Sequence, residues 1–268
     1  MSGAFRLLFI GDVVGEGGVE AVRTLTPRLR EEFSLDAVVV NGENSAGGRG
    51  ITRETAAALL EQADLVTLGD HAYDKSEGRD LLKEEPRVLR PANFAPESPG
   101  AGWGVFEAGE RGSERRVGVV NLQGRVFMQE VSGSPFEVAD RALEALAEEG
   151  AGIVVVDFHA EATAEKQGLG YHLEGRAQAV IGTHTHVPTA DEKVLPGGTA
   201  YLSDVGMVGA TEGIIGLSRD AFMGLLLREE SVEGGPHHGP VELDAALVEF
   251  DGYGRAVDIQ RVRRELKR

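Results

Sequence analysis

The chain contains no cysteine, which excludes disulfide bonds and thiolate chemistry. Any metal that it holds must therefore be bound through nitrogen and oxygen atoms. Aromatic residues are also few, at 6% of 268 residues, with a single tryptophan. The remaining composition, 41% hydrophobic and 26% charged, is that of a soluble globular protein. We expect one domain covering residues 1–268 and, from the lack of cysteine, a cytoplasmic location.

Basic residues are outnumbered, with 27 Lys and Arg against 44 Asp and Glu and a formal net charge of -17. A protein that binds a nucleic-acid backbone needs clustered basic residues to displace counterions, so no strong nucleic-acid-binding patch is expected. The basic segment from Arg261 to Arg268 is interpreted as a solvated tail. A small phosphate ester is not excluded, because bound cations attract anions even to an acidic protein.

Long apolar runs are missing as well. The first run, from Phe5 to Ile10, is far too short to span a bilayer and leads into Gly11 and Asp12. It predicts a first strand and no membrane partner. A compact α/β subunit is able to form a homo-oligomer, but the sequence carries no interface signal.

Short apolar runs alternate with amphipathic stretches in the first third of the chain, which predicts strands and helices of a parallel sheet. The runs from Trp103 to Phe106 and from Arg116 to Leu122 predict a hairpin. The segment from Glu229 to Gly239, rich in Gly and Glu, predicts a mobile loop. The first strands are expected at Phe5 to Ile10, Asp36 to Asn41 and Leu65 to Leu68.

Polar residues follow each place where a predicted strand ends. The intervals from Asp12 to Glu43 and from Glu43 to Asp70 are close to one βαβ unit of about 30 residues. Because the carboxyl ends of parallel strands meet in one crevice, these side chains are expected to converge at one sheet edge. The full set is Asp12, Glu43, Asn44, Asp70, His71, His159, His184 and His186.

The histidine pair His184 and His186 follows the apolar run from Ala177 to Ile181. A strand places alternate side chains on one face. If the strand continues through the pair, both imidazoles point into the same space and can bind one borderline metal ion.

The charges of this set predict more than one cation. Three carboxylates among several imidazoles would bury unpaired charge unless cations lay among them. Two divalent ions satisfy the carboxylates and clamp the oxygens of a displacement at phosphorus. Glu43 lies in the middle of the first three strands and is the candidate bridging ligand. The glycines around Asp12 do not match a dinucleotide or phosphate-loop fingerprint.

Five ordered motifs carry a family resemblance. They are Gly11-Asp12-Val13-Val14-Gly15, Asn41-Gly42-Glu43-Asn44, Gly69-Asp70-His71, Asp157-Phe158-His159-Ala160-Glu161 and Gly182-Thr183-His184-Thr185-His186. Together they resemble the YmdB-like branch of the calcineurin-like metallophosphoesterases, and the resemblance covers nearly the whole chain. It implies an α/β fold, a four-layer αββα sandwich, and a 2′,3′-cyclic-nucleotide 2′-phosphodiesterase with two metal ions, iron or alternatively manganese.

The resemblance also implies a role for each site residue. One metal would be held by Asp12, Glu43, Asn44 and His186. The other would be held by Glu43, Asp70, His159 and His184, with Glu43 as the bridge. His71 matches the family's proton donor, and the nucleophile would be a metal-activated hydroxide. The expected substrate is a small phosphodiester or 2′,3′-cyclic nucleotide, and the expected product is a 3′-nucleotide.

Two positions depart from metallophosphoesterase patterns. Val14 stands where the superfamily usually has a histidine, a feature that the YmdB-like branch shares. Asp70 stands where the branch usually has asparagine, which adds a negative ligand. Extra ligand charge should hold metal more tightly and make it a weaker Lewis acid. The hypothesis is an altered metal preference or a reduced turnover with an unchanged fold.

Other residues and functions are weighed lower. Trp103 and the phenylalanines are interpreted as core, Arg125 as an exposed arginine, and His172 as solvent-facing. The alternative function is a regulatory RNA-turnover or signalling protein that retains the metal site with little turnover. A mononuclear amide hydrolase ranks below it, because such an enzyme leaves Asp12 and Glu43 without a role.

Overall fold

A computed structural model describes residues 4–109, 115–129, 131–228 and 234–267. Most of the expected hairpin loop, residues 110–114, lies outside the described residues, as do residues 229–233 of the expected mobile loop. Within residues 234–239, the N–H of His237 donates to the carbonyl of Gly216 at 2.8 Å. No helix among the described residues is both long and apolar enough to cross a membrane.

Fourteen strands and six helices are found in the described residues. The strands are β1 (Phe5–Ile10), β2 (Asp12–Val13), β3 (Ala37–Asn41), β4 (Leu65–Thr67), β5 (Val88–Leu89), β6 (Trp103–Ala108), β7 (Arg115–Gln123), β8 (Ile153–His159), β9 (Ala179–Thr183), β10 (Lys193–Val194), β11 (Ala200–Leu202), β12 (Met207–Ala210), β13 (Val241–Phe250) and β14 (Ala256–Leu266). The helices are α1 (Gly15–Phe33), α2 (Arg53–Leu60), α3 (Gly78–Glu84), α4 (Pro135–Glu148), α5 (Thr163–His172) and α6 (Arg219–Arg228).

The first sheet has eight strands in the order β2-β12-β13-β1-β3-β4-β5, with β14 paired to β13. Strands β1, β3, β4 and β5 are parallel, as the alternation of strands and helices predicts. Their carboxyl ends therefore lie at one edge of this sheet, where the segments after β3 and β4 begin.

The second sheet has six strands in the order β10-β11-β9-β8-β7-β6. Strands β7, β8, β9 and β11 are parallel, whereas β6 and β7 form the predicted antiparallel hairpin. The last residues of β7 and β8 are register partners, Gln123 opposite His159. The carboxyl edge of this sheet is therefore the edge that carries His159.

Three hydrophobic clusters define four layers. The middle cluster fills the space between the two sheets and includes Phe9, Val39 and Val119. An outer cluster joins the first sheet to α1, α2 and α3, and a second joins the other sheet to α4 and α5. Strand β3 is buried throughout, because Val38 faces the helices while Val39 faces the other sheet. The architecture is thus an αββα sandwich, as expected.

Local signals in the sequence locate some boundaries well. Thr52 caps α2: its hydroxyl accepts from the N–H of Thr55 at 3.2 Å, and Thr55 Oγ1 accepts from the N–H of Thr52 at 3.1 Å. This reciprocal pair satisfies two backbone donors that a helix end leaves unpaired. The short strands β2, β5, β10 and β12 and the helix α6 are not predicted by the sequence.

The segment from Arg255 to Arg263 predicts a last strand, which is confirmed, but the expectation that Arg261 to Arg268 forms a solvated tail is wrong as far as residue 267. Strand β14 runs to Leu266 along the whole of β13, and its arginines pair with acids on neighbouring elements. Arg261 Nε lies 3.0 Å from Glu192 Oε1, and Arg263 Nε lies 2.8 Å from Asp244 Oδ1. Backbone pairing and ion pairs both favour the strand, whereas the tail was inferred from the density of charge alone.

Candidate metal centre

The predicted site residues converge on one crevice, but they arrive there from two sheets. Asp12 lies in β2, and the residues at positions 43, 44, 70 and 71 follow β3 and β4 of the first sheet. His159 ends β8, and His184 and His186 follow β9 of the second sheet. The expectation of a single sheet edge is therefore wrong, because the topology places the carboxyl edges of two facing sheets together.

One group of four side chains is tightly packed. Ligand atoms of Glu43, Asp70, His159 and His184 all lie within 4.8 Å of one another. His159 Nε2 lies 3.1 Å from Glu43 Oε1 and 3.2 Å from Asp70 Oδ1. His184 Nδ1 lies 3.0 Å from His159 Nε2 and 3.6 Å from Asp70 Oδ1. Two carboxylates and two imidazoles are thus close enough together to bind one shared ion.

A second group adjoins the first through Glu43. The amide of Asn44 lies 3.0 Å from Glu43 Oε1 and 3.2 Å from His186 Nε2. His186 Nε2 lies 4.0 Å from Asp12 Oδ1. Because an amide presents its oxygen after a half-turn, Asn44 can offer that atom to the same space. Asp12, Glu43, Asn44 and His186 are all buried.

The two histidines after β9 do not continue the strand. The strand ends at Thr183, and His184 and His186 have φ values of 98° and 65°. Both values lie in the left-handed region, which side chains other than glycine seldom adopt. The prediction that strand alternation points both rings into one space is therefore wrong. The turn instead places His184 beside His159 and His186 beside Asn44.

The outward nitrogen of His159 has a defined partner. Its Nδ1 lies 2.9 Å from Thr183 Oγ1, and that hydroxyl lies 2.7 Å from Asp157 Oδ1. A buried carboxylate can only accept, so the hydroxyl donates to Asp157 and accepts from His159 Nδ1–H. When the ring is neutral, this arrangement leaves the lone pair of Nε2 facing Glu43 and Asp70, as metal-binding histidines require.

The other two histidines are held in a comparable way. His186 Nδ1 donates to the carbonyl of Ile215 at 2.9 Å, which leaves Nε2 as the free nitrogen toward Asn44. His184 Nε2 lies 3.3 Å from Glu161 Oε2, on the opposite side of the ring from His159. An outer acceptor thus stands behind each of the three rings.

Burial and charge shift the ionisation of this site. Burial raises the pKa of Asp12 well above its ordinary range. Burial opposes the charge on His159, but attraction to Glu43 and the hydrogen bond to Asp70 outweigh it and raise the pKa of that imidazole. Burial together with the charge of His159 lowers the pKa of His184 to about 4. In the metal-free protein, a protonated His159 therefore supplies the positive charge that Glu43 and Asp70 need.

His71 lies next to this group and is less enclosed, with 22% of its side chain exposed. Its Nδ1 lies 3.1 Å from Asp74 Oδ2 and 3.7 Å from Asp70 Oδ2. Its backbone N–H donates to Glu43 Oε2 at 3.4 Å. Nδ1 is buried and forms no hydrogen bond with another described residue, and the partly exposed ring lies at the margin of the crevice.

Two glycines allow side chains and backbone to pack closely around the crevice. A Cβ at Gly69 would lie 2.1 Å from Glu43 Oε2 and 2.4 Å from His159 Nε2, inside the group of four side chains. A Cβ at Gly182 would lie 1.8 Å from the carbonyl oxygen of Ser203. Any larger residue at either position would displace ligand atoms or the turn that carries the histidine pair.

A buried ion pair supports that turn. Lys166 Nζ in α5 lies 2.6 Å from Asp204 Oδ2 and donates to the carbonyl of Thr183 at 2.8 Å. Asp204 Oδ2 accepts from the N–H of Thr185 at 3.1 Å. Asp204 Oδ1 accepts from the N–H of Gly206 at 2.9 Å, whose carbonyl accepts from the N–H of Asp12. The pair therefore links the histidine turn to the strand of Asp12.

Sequence reasoning assigned no role to several of these supporting residues. Asp157 and Thr183 lie within quoted motifs, directly before or two residues before a candidate ligand. The available signal applies only to Asp157, since a strand residue two positions from His159 shares its face. Thr183 directly precedes His184 and does not alternate with it in this way. Lys166 gives no such signal, because a lysine in a helix is ordinarily solvated.

The residues fit metal ions. The donor set is nitrogen and oxygen, as a chain without cysteine requires, and it suits divalent metal ions. Asp12 Oδ1 is buried and has no hydrogen-bond partner in the described part of the chain. A buried, unpaired carboxylate oxygen is costly, and a cation between Asp12 and His186 would satisfy it.

A sequence comparison identifies the family. The profile of YmdB-like proteins matches residues 8–262. The chain belongs to the YmdB-like family. This confirms the resemblance inferred from the motifs.

Named relatives agree with this membership. The chain is 39% identical over 259 residues to the 2′,3′-cyclic-nucleotide 2′-phosphodiesterase of Bacillus subtilis, with 96% of each sequence covered. It is similar in structure to a hypothetical protein from Thermus thermophilus, with a TM-score of 0.89, 42% identity, and coverage of 97% and 99% of the two chains. A phosphatase from Mycoplasma pneumoniae matches with a TM-score of 0.89 and 27% identity, covering 99% of this chain and 95% of that one.

Family and fold together set the enzyme class. The αββα sandwich of the calcineurin-like metallophosphoesterase type is confirmed, both by the layer order and by the structural neighbours. This YmdB-like protein is an enzyme of the phosphoesterase class, as expected. Its cluster of Glu43, Asp70, His159 and His184 suits divalent metal.

Proposed function

We propose that this YmdB-like protein is a dinuclear-metal phosphodiesterase that hydrolyses 2′,3′-cyclic nucleotides to 3′-nucleotides. The observation that carries the proposal is the position of Glu43, whose carboxylate touches both ligand groups. Glu43 Oε1 lies 3.1 Å from His159 Nε2 and 3.0 Å from the amide of Asn44. A carboxylate shared in this way favours two neighbouring ions over one.

Each group would hold one ion. Asp12, Asn44 and His186 complete the first set, and Asp70, His159 and His184 complete the second. When bound, two ions would supply a nucleophile at neutral pH by lowering the pKa of water, and would neutralise charge on the phosphoryl oxygens. Iron is the proposed metal and manganese the alternative.

The leaving oxygen needs a proton. Hydrolysis to a 3′-phosphate breaks the bond between phosphorus and the ribose 2′ oxygen, which departs as an alkoxide unless it is protonated. His71 lies beside Asp70, is partly exposed, and faces Asp74 through Nδ1. In the proposed mechanism, Asp74 orients the ring and His71 donates the proton.

The first experiment tests substrate and proton donor together. Protein reconstituted anaerobically with iron or manganese is assayed against 2′,3′-cyclic AMP, a linear diester and a phosphate monoester. We expect the cyclic diester to be cleaved to the 3′-phosphate, and His71→Ala to lower kcat about 10²- to 10⁴-fold while the metal content stays unchanged. Loss of metal from the His71 variant, or formation of the 2′-phosphate, would contradict the proposal.

The second experiment tests the division into two metal sets. His186→Ala is expected to deplete one ion and His184→Ala the other, so each variant should retain about half of the bound metal. His172→Ala is the matched control, since that ring pairs with Asp140 at 2.9 Å on the surface. A metal-to-protein ratio near one in the wild type would reject the dinuclear site.

A further inference from the structure

An exposed aromatic residue, Phe127, lies in the segment that follows β7. Phe127 is 88% exposed and has a φ of 62°. A bulky side chain in the left-handed region is an outlier, because its Cβ approaches the backbone closely. Neither burial nor backbone preference accounts for a phenylalanine here, so its position calls for a functional reason.

The segment that carries it, residues 124–129, is called here the rim loop. It follows β7 directly, and the N–H of Gly124 donates to the carbonyl of His159 at 2.9 Å. Phe127 is three residues beyond Gly124, so its Cα lies within about 11 Å of that glycine. The rim loop therefore begins at the carboxyl edge of the second sheet, the edge that carries His159.

The rim loop is fixed at both ends. The carboxylate of Glu165, in the first turn of α5, accepts from the N–H of Arg125 and from the N–H of Val126 at 3.0 and 3.1 Å. Gln123 Nε2 donates to the carbonyl of Gln129 at 3.1 Å. Because these hydrogen bonds hold the loop backbone in place, the phenylalanine ring stays exposed to solvent. In a flexible loop the ring would be free to pack against the protein surface.

Two other exposed side chains, Val187 and Arg125, are compatible with binding of a nucleoside. Val187 directly follows His186 and is 60% exposed, so a second apolar side chain stands beside the metal ligands. Arg125 is exposed, and its side chain forms no ion pair with any other described residue of this acidic chain. The proposed metal ions would bind the phosphate. The base and the ribose would therefore be contacted by residues at the margin of the crevice.

We infer that Phe127 is a specificity-determining residue that stacks on the nucleobase of the substrate, with Arg125 available to the phosphate or ribose. The inference rests on the proposed function, because it assigns the base of the proposed cyclic nucleotide to the rim loop. Stacking of a base on an aromatic ring tolerates every base, since each has a π face. The rim loop would therefore favour nucleotides over other diesters without selecting one base.

The test compares two substrates with the same reacting group. One is 2′,3′-cyclic AMP, and the other is methyl riboside 2′,3′-cyclic phosphate, which has no base. Phe127→Ala is expected to raise KM for the nucleotide about five- to hundredfold and to leave kcat and the base-free substrate unchanged. Phe127→Tyr should restore the nucleotide KM. Tyr253→Ala is the control, because Tyr253 is 93% exposed in the turn between β13 and β14.

A second variant separates recognition from structure. Phe127→Gly suits the positive φ, so its thermal stability should equal or exceed that of the wild type while its KM rises like that of Phe127→Ala. Equal effects on both substrates, or no effect on either, would overturn the inference. A change in oligomeric state by light scattering, with KM unchanged, would assign Phe127 to self-association and would also overturn it.

Binding of adenosine 3′-phosphate by calorimetry keeps the two proposals apart. If the wild type does not hydrolyse 2′,3′-cyclic AMP, the proposed function fails. If Phe127→Ala nevertheless binds adenosine 3′-phosphate more weakly than the wild type does, the rim loop still binds the base. If the wild type hydrolyses 2′,3′-cyclic AMP and Phe127→Ala has the same KM and nucleotide affinity as the wild type, only the inference about Phe127 fails.

Discussion

The hydroxyl oxygen of Thr183 lies 2.9 Å from His159 Nδ1, at the point where β8 and β9 end side by side. The same hydroxyl donates to Asp157 Oδ1, and Asp157 Oδ2 accepts from Asn41 Nδ2 at 3.0 Å and from the hydroxyl of Thr67. Asn41 and Thr67 belong to the first sheet. One buried carboxylate thus joins the two sheets and fixes, through Thr183, which nitrogen of His159 faces the crevice.

Replacing Thr183 with valine should therefore weaken the metal set that contains His159. Valine keeps the shape but removes the acceptor behind Nδ1, and such outer partners change metal affinity about 10- to 100-fold. Thr183→Ser keeps the hydroxyl and is the matched control. Titration of metal into both proteins gives the dissociation constants. Equal affinities for the valine and serine variants would show that the hydroxyl does not orient His159.

Asp70 adds a third carboxylate to the site. Burial opposes its charge, but the hydrogen bond and the attraction to His159 outweigh burial and lower its pKa, so it is ionised in the folded protein. Asp70→Asn removes one negative ligand and should weaken metal binding by about tenfold or more, because affinity follows ligand charge. An ion bound by one fewer negative ligand would be a stronger Lewis acid, so kcat measured with saturating metal should rise. Unchanged metal content and rate would reject this hypothesis.

The Lys166–Asp204 pair should be important for stability. Both side chains are buried, at 3% and 1% exposure, so Lys166→Met leaves an uncompensated carboxylate beside the histidine turn. We expect a loss of about 3–5 kcal/mol in the free energy of unfolding by urea titration, together with weaker metal binding. Arg176→Ala breaks a surface pair with Asp140 and should cost about 1 kcal/mol or less. Similar losses in the two variants would show that the buried pair has no special role.

Much of the site is predictable from the sequence because its residues follow a regular pattern. Each parallel strand ends at the same edge, so Asp12, Glu43 and Asp70 recur about once per βαβ unit. That argument needs only strand periodicity and chain direction. It cannot show that His159 belongs to a different sheet, because pairing partners are set by long-range packing and leave no local trace.

The histidine turn shows a second limit. His184 and His186 are spaced as strand neighbours, yet both adopt positive φ because contacts distant in sequence hold the turn. Those contacts come from Lys166 and Asp204, which lie 17 and 19 residues along the chain from their hydrogen-bond partners at the turn. Local spacing predicts which residues are available as ligands, whereas their directions depend on tertiary contacts.

Metal binding should release protons. The pKa values of His159 and Asp12 are both raised in the metal-free site, the first by Glu43 and Asp70 against the effect of burial, the second by burial itself. Both groups must lose their protons to become ligands, so apparent metal affinity should rise about tenfold per pH unit for each proton displaced. Calorimetry in buffers of different ionisation enthalpy measures the number released.

The same shifts predict how the metal-free protein responds to pH. A histidine whose pKa is raised on folding contributes stability below its unfolded pKa, and that stability is lost as the pH rises through the folded pKa. Ionisation of the buried Asp12 carboxyl likewise lowers the free energy of unfolding as the pH rises, because burial raises its pKa. The lowered pKa values of His184 and His186 act in the opposite direction, but only up to about pH 7, where unfolded histidines lose their protons. The melting temperature of chelator-treated protein should therefore fall from about pH 7.5 to about pH 9, while that of metal-loaded protein stays nearly level. A metal-free protein that becomes more stable as the pH rises through this window would show that His159 and Asp12 do not hold protons there.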